Sequence, residues 1–231
     1  FNVVNSQVIM KGASPQILSD TVSVTYKAMS DSTGSINITS AGKTNFWDYV
    51  LPLFGANLPV NEGLLGAKMP GKGNPAQPFH PRTGYEGWFS AEGIPITSVD
   101  AGLKTNPYPL MMVQAHDTAT SETLASLPVV VPVSDEMACG VCHNTGNEAA
   151  SLPDVQWSDA TDLAIQYREN ILILHDYRSG TDLVNSQPVL CASCHYSPAL
   201  DLGGTGPVGP QLTNKTMSQA THGYHASRIL T

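Results

Sequence analysis

Apolar and polar residues alternate in parts of the first third of the chain, with the two-residue period of a half-buried β-strand. The clearest example is residues 21–26, in which Val22, Val24 and Tyr26 alternate with polar neighbours. Prolines in two of the further candidates would confine those strands to edges or ends of a sheet. The further candidate strands are residues 34–39, 108–115 and 127–133.

A helical spacing of three and four residues dominates the second part of the chain. Its longest predicted helix covers residues 159–178, with Ser158 as N-cap and Gly180 as the residue that ends it. A helix predicted over residues 135–143 would also have Ser134 as its N-cap. Two shorter helical segments are predicted over residues 45–54, where Pro52 limits the length, and residues 217–229.

These patterns predict an α+β multidomain protein. Residues 1–131 are expected to form a β-sandwich-like module of the immunoglobulin type. Within it, residues 55–107 are dense in glycine and proline and should form a long ordered loop with short strands. Residues 132–231 are expected to form a mainly helical, loop-rich module. The N-terminal module carries no recognisable chemistry and is interpreted as a docking or assembly element.

Two pentapeptides contain all four cysteines of the chain. They are Cys139-Gly-Val-Cys-His143 and Cys191-Ala-Ser-Cys-His195, and both match C-x-x-C-H, the attachment signal of c-type haem. The two thiols add to the two vinyl groups of one porphyrin, so they must lie about one helical turn apart. The adjacent histidine can then bind the iron from the proximal side. We therefore expect two covalently attached haems, anchored by Cys139, Cys142, Cys191 and Cys194, with His143 and His195 as proximal ligands.

Other uses of paired cysteines fit less well. A zinc ribbon places its C-x-x-C pairs about 15–20 residues apart, whereas 48 residues separate Cys142 from Cys191 here. A zinc site made from the four cysteines would also leave both following histidines unexplained. No βαβ pattern surrounds either pair, as a thioredoxin-like site would require. A disulfide across C-x-x-C would be short and strained.

The sixth iron ligand separates an electron carrier from a catalyst, because an open position can bind a substrate. His175 is favoured as one distal ligand, since it lies four residues after Ile171 beside the apolar face of its helix. His222 and His225 share a face of the last helix, and His222 is preferred marginally over His225. Met217 is a possible alternative. Exposed or locally bonded roles are expected for His80 and His116.

Charge and hydropathy restrict the partners. The net charge is −8, and ten acidic against four basic residues fall within 132–231. Such an acidic module argues against nucleic acid and favours basic partners or cationic surfaces. Divalent cations such as Ca²⁺ are compatible with the charge, although no motif requires them. The chain has no apolar run of 18 or more residues, so we expect no transmembrane segment.

Residues 132–231 resemble the haem-binding parts of multihaem c-type cytochromes of periplasmic and extracellular respiration. The resemblance rests on the two C-x-x-C-H motifs, on Leu-Ile-Leu-His-Asp176 and on the segment Thr-His-Gly-Tyr-His-Ala at 221–226. It implies bis-histidine, low-spin haems and one-electron transfer between closely spaced porphyrins.

The resemblance also implies a periplasmic or cell-surface location, with redox proteins or terminal electron acceptors as partners. Copies of the chain could join in a filament of continuous haems. Two alternatives remain open at this point. A dihaem peroxidase also carries two such motifs, but in two larger helical domains, and a haem-based sensor would need one open iron.

Overall fold

The structure, a computed structural model, describes residues 2–133 and 138–229. The chain divides into two compact units. The first, called the β unit here, comprises Phe1–Ser134 and Tyr196–Val208. The second, called the motif unit, comprises Asp135–His195 and Gly209–Thr231. Both C-x-x-C-H motifs therefore lie in the motif unit.

The described part of the β unit contains two antiparallel sheets of four strands each. One sheet has the order β2-β1-β6-β5, and the other has the order β4-β3-β7-β8. The strands are β1 (Asn2–Met10), β2 (Gln16–Leu18), β3 (Val22–Ala28), β4 (Gln77–Pro78), β5 (His80–Pro81), β6 (Trp88–Ile94), β7 (Leu110–Asp117) and β8 (Thr123–Val130).

A single hydrophobic cluster packs side chains from both sheets. Alternation places Val22, Val24 and Tyr26 of β3 inside, and β6 and β7 contribute residues such as Phe89 and Met111. The hydroxyl of Tyr26 donates to a backbone carbonyl at 2.7 Å, and burial raises the pKa of this phenol. The β unit thus has a hydrophobic core made from its own side chains.

The sequence pattern located three strands of one sheet, and the strands predicted within residues 55–107 occur there as β4, β5 and β6. Strands β1 and β2 were not predicted. The strands predicted at residues 21–26 and 108–115 are confirmed as β3 and β7, and the one at 127–133 overlaps β8. The prediction at residues 34–39 is wrong, because no strand forms there. The backbone carbonyls of Ile36 and Asn37 instead accept hydrogen bonds from loop residues Ala101 and Lys72.

Four α-helices occur in the described residues: α1 (Phe46–Phe54), α2 (Gly140–His143), α3 (Leu163–Ser179) and α4 (Met217–Ile229). The predictions for α1 and α4 are confirmed. Helix α2 is shorter than predicted, and residues 134–137 of that prediction lie outside the described residues. Helix α3 begins at Leu163, because Asp162 caps it by accepting from the Ala164 amide at 2.8 Å.

The predicted fold class is wrong. The described chain is a mixed α/β structure with two antiparallel sheets and four helices. Its strand order differs from the Greek-key arrangement of an immunoglobulin sandwich. The motif unit is not mainly helical, since its helices have 4, 17 and 13 residues and are separated by loops and short 3₁₀ turns. Glycine- and proline-rich connections interrupt the helical periodicity there.

Candidate cofactor site

Each C-x-x-C-H motif forms one helical turn. In the first motif the amide of His143 donates to the carbonyl of Cys139 at 2.9 Å, and in the second the amide of His195 donates to the carbonyl of Cys191, also at 2.9 Å. The second cysteine of each motif donates its amide to the first at 3.2 Å. None of the four cysteines is in a disulfide. The two motifs therefore have the same backbone arrangement and four thiols available for covalent attachment.

Each motif histidine faces a second histidine from elsewhere in the motif unit. The rings of His143 and His225 have centroids 6.3 Å apart, and those of His175 and His195 have centroids 6.2 Å apart. Helix α3 supplies His175, and α4 supplies His225. Four histidines distant in sequence are thus sorted into two pairs with almost equal spacing.

That spacing suits one metal ion between the two rings of a pair. A metal–imidazole bond measures about 2 Å, which places two trans nitrogens roughly 4 Å apart. Each ring centre lies about 1 Å beyond its nitrogen, so the expected separation of centroids is about 6 Å. The separation in each pair therefore leaves room for one ion between two imidazoles. The rings of the two pairs are inclined at 65° and 79°, and edge-on contact between rings gives centroid separations in the same range.

Three of the four rings are oriented through Nδ1. The Nδ1 atom of His225 lies 2.6 Å from the Thr221 carbonyl oxygen, and that of His195 lies 2.8 Å from the Lys215 carbonyl oxygen. A carbonyl can only accept, so both Nδ1 atoms carry a proton, and in the neutral imidazole this leaves the lone pair on Nε2. Such Nδ1–H contacts commonly orient metal-binding histidines.

The third oriented ring, His175, is part of a chain of polar groups. Its Nδ1 lies 2.9 Å from the Thr181 hydroxyl, and that hydroxyl donates to Asp176 Oδ1 at 2.6 Å. The amides of Leu183 and Val184 also donate to the Asp176 carboxylate. Burial raises the pKa of this carboxyl, but its hydrogen bonds and the nearby His175 outweigh burial and lower the pKa overall. The carboxylate thereby fixes the loop that orients His175.

His143 is held through its backbone. Its carbonyl accepts from the side-chain amide of Asn170 at 2.8 Å, whereas its buried Nδ1 has no hydrogen-bond partner among the described residues. Burial, together with the neighbouring His225 and Arg178, lowers the pKa of His143. A low pKa favours the neutral imidazole, which is the form that binds a metal ion.

Asn170 is the centre of the contacts between the first motif and α3. It is fully buried, donates to the Thr145 hydroxyl at 3.0 Å and accepts from the Ser158 amide at 2.8 Å. One helix turn earlier, Gln166 accepts from the Thr145 amide at 3.0 Å. Two side chains of α3 thus fix the loop that follows His143.

The second motif is held by the segment that precedes α4. The side chain of Gln211 donates to the Ala192 carbonyl at 2.6 Å, and that of Asn214 donates to the Cys194 carbonyl at 3.1 Å. With the contact between His195 and Lys215, three hydrogen bonds join this segment to the motif. The sequence offered no signal for these amides, because their role depends on tertiary contacts.

No contact between histidine rings involves the remaining three histidines among the described residues. His222 is exposed on α4, and it has no ring contact with another histidine in the described structure. His80 is also exposed. His116 has its two ring nitrogens 3.1 and 3.2 Å from the hydroxyls of Thr25 and Thr123. The structure therefore brings His225, rather than the marginally preferred His222, against His143.

The residues of the motif unit fit c-type haem better than a bare ion. No group of three or more histidine, cysteine, aspartate or glutamate side chains that could hold a metal ion occurs in the described residues. A porphyrin supplies the four in-plane nitrogens itself, so a histidine pair completes the coordination. Each motif also holds two cysteines outside any disulfide, one helical turn apart, as two covalent links to one porphyrin would require. The fit therefore depends on a planar cofactor between the rings.

The distribution of apolar side chains also fits an apolar cofactor. Among the described residues, the only buried hydrophobic side chains of the motif unit belong to Ala150, Leu174 and Ala192. Larger apolar residues of the same unit remain exposed, including Val141 inside the first motif. Porphyrin contacts could supply burial that this unit does not obtain from its own side chains.

Comparison with known proteins gives no relative: no family model, curated protein or solved structure matches the chain. Across residues 2–133 and 138–229, no helix combines the length and hydropathy needed to span a bilayer. The chemistry of the motif unit must therefore be inferred from its own residues.

Proposed function

We propose that the protein carries two covalently attached c-type haems and transfers single electrons through them. One haem would be linked to Cys139 and Cys142, and the other to Cys191 and Cys194. The axial ligands would be the pairs His143–His225 and His175–His195. When bound, each haem supplies a one-electron iron couple.

The observation that carries this proposal is the pairing of both motif histidines with a second histidine. The centroid separations of 6.3 and 6.2 Å would accommodate one ion bound by both rings of a pair. Two strong axial ligands leave no coordination position for peroxide or a gas. This favours an electron carrier over the peroxidase and the sensor, both of which require an open iron.

The protein residues would hold the ligands in place while the charge of the iron changes. The rings of His175, His195 and His225 are oriented through Nδ1, and the backbone at His143 is fixed by Asn170. Fixed ligands limit the rearrangement that accompanies oxidation or reduction. The motif unit would therefore act as a rigid electron relay without transforming a substrate.

The same proposal includes location and partners. Haem attachment to C-x-x-C-H follows export in most organisms that carry it out, so we propose a periplasmic or cell-surface protein. Its partners would be one-electron donors and acceptors, with basic surfaces favoured by the net charge of −8. Assembly with further copies of the chain remains a prediction of the sequence resemblance.

The test is production of the full chain in a host that attaches c-type haem. The denatured protein should retain two haems per chain, and the reduced native protein should show low-spin bands that carbon monoxide leaves unchanged. A variant with Cys139 and Cys142 replaced by alanine is the control, and it should retain one covalent haem.

Two results would contradict the proposal. Failure to attach haem while a c-type cytochrome is matured in the same cells would exclude the cofactor assignment. A complete carbon monoxide shift at one haem would mean that one iron is open, which would move the function to the peroxidase or the sensor.

A further inference from the structure

Two oppositely charged side chains of α3 lie at different histidine pairs. Asp176 accepts from Thr181, whose hydroxyl also contacts the ring of His175. Arg178, two residues later, points to α4, where its guanidinium lies 4.6 Å from the ring centroid of Tyr224. One turn of helix thus presents a negative charge to one pair and a positive charge towards the other.

The stack between Arg178 and Tyr224 holds the positive charge near the His143–His225 pair. The rings of Tyr224 and His225 have centroids 6.2 Å apart, and the charge of Arg178 also acts on the ring of His143. Cation–π contact with an aromatic ring restricts an otherwise mobile arginine. The charge is therefore fixed beside this pair although the side chain is exposed.

Charge near an iron shifts its reduction potential in a known direction. A positive neighbour disfavours the ferric form and raises the potential, whereas a negative neighbour lowers it. The hydrogen-bond chain from His175 through Thr181 to Asp176 acts in the same direction as the negative charge, because it increases the basicity of the ligand. Both effects would increase the difference between the reduction potentials of the two sites.

We propose that Arg178 and Asp176 give the two haem sites unequal reduction potentials, with the His143–His225 site the higher. This inference rests on the function proposed above. An electron would then pass from the His175–His195 site to the His143–His225 site. In that transfer the donating iron would change from ferrous to ferric and the accepting iron from ferric to ferrous, with no proton or bond exchanged.

A series of side-chain contacts runs between the two histidine pairs within the motif unit. His175 and Arg178 are three residues apart on α3, so their Cβ atoms are about 5–6 Å apart on one face of the helix. Arg178 contacts Tyr224, and Tyr224 is adjacent to His225. A short series of contacts thus joins one ligand pair to the other.

The experiment is an optical redox titration of the holoprotein and three variants. Arg178→Gln should lower the higher midpoint and change the equilibrium constant between the sites about tenfold, equivalent to about 59 mV for one electron. Arg178→Lys keeps the positive charge, so its higher midpoint potential should remain close to that of the wild type. Arg168→Gln removes the same charge from the same helix, and it should have a much smaller effect.

His225→Met assigns the midpoints, because methionine ligation raises the potential of the haem that carries it. Asp176→Asn should raise the lower midpoint potential. If that variant does not fold, the Arg178 variants still test the inference, because Arg178 is exposed. Equal shifts for Arg178→Gln and Arg168→Gln, or a lower midpoint at the His143–His225 site, would overturn the inference. In that case intact low-spin haems would leave the proposed function standing, whereas absence of haem would contradict the function itself.

Discussion

Two histidines of α4 allow a direct comparison at the scale of single residues. His225 lies against His143, whereas His222, three positions earlier, is exposed and away from both motif histidines. Replacing either histidine with alanine removes an imidazole from the same helix. Any difference between them therefore reports the local position of the ring and not a general effect on α4.

We expect His225→Ala to open one iron and His222→Ala to open none. After reduction, carbon monoxide should shift about half of the haem absorption in His225→Ala and leave that of His222→Ala as in the wild type, because one of two axial pairs is broken. Absorption spectra of purified monomers provide the measurement. A shift in His222→Ala with none in His225→Ala would exclude the pairing seen in the structure.

The sequence predicted both histidines of the His175–His195 pair, whereas in the His143–His225 pair it marginally preferred His222 to His225. The C-x-x-C-H spacing marks His143 and His195 directly, because covalent attachment requires those residues to be adjacent. The second histidine of each pair depends on how α3 and α4 pack, and His222 and His225 are equivalent in periodicity. Asn170 and Thr181 carry no motif at all, so their roles became visible only from their hydrogen bonds.

At the scale of elements, regular alternation was the feature that sequence could use. Strand β3 was predicted because its inward positions are apolar and its outward ones polar. Strand β7 was predicted from a segment rich in apolar residues, and its less buried positions include Leu110 and Met112. Strand β1 has no such strict alternation, and β4 and β5 have two residues each. Their existence depends on pairing with β3 and β6. Tertiary pairing, which local patterns do not contain, therefore determined half of the fold.

Two glycines provide a test of α3 and α4, the helices that carry His175 and His225. Gly180 ends α3 at φ 65° and ψ 31°, with its amide donating to the Asp176 carbonyl at 2.8 Å. Gly223 lies within α4, and a Cβ at that position would contact nothing within 4 Å. A left-handed residue and a helical residue should respond to the same substitution with opposite signs.

We expect Gly180→Ala to lower the free energy of unfolding of the motif unit by about 1 kcal/mol, because alanine is strained at positive φ. Gly223→Ala should raise it by about 0.5–1 kcal/mol through higher helix propensity. Urea titration of the holoprotein, followed by haem absorption, measures both values. Destabilisation of similar size in both variants would show that α4 is not helical at Gly223.

On the scale of the whole molecule, the two units differ in how they obtain a core. The β unit buries a cluster that includes Tyr26, Phe89, Ile94 and Met111. The described residues of the motif unit bury few apolar side chains, and most of these are small. The unit is fixed mainly by polar contacts such as those of Asn170. Covalent haem would add apolar contact to the unit that needs it.

This difference predicts unequal dependence on the cofactor. In a variant with all four cysteines replaced by alanine, the β unit should keep its strand signal in circular dichroism, while the motif unit should lose stable structure. Limited proteolysis should then cut first within residues 138–195 and 209–229, and slowly within residues 2–133. The holoprotein is the control, and both regions should resist cleavage there. Equal protease resistance of the two forms would mean that the motif unit folds without haem.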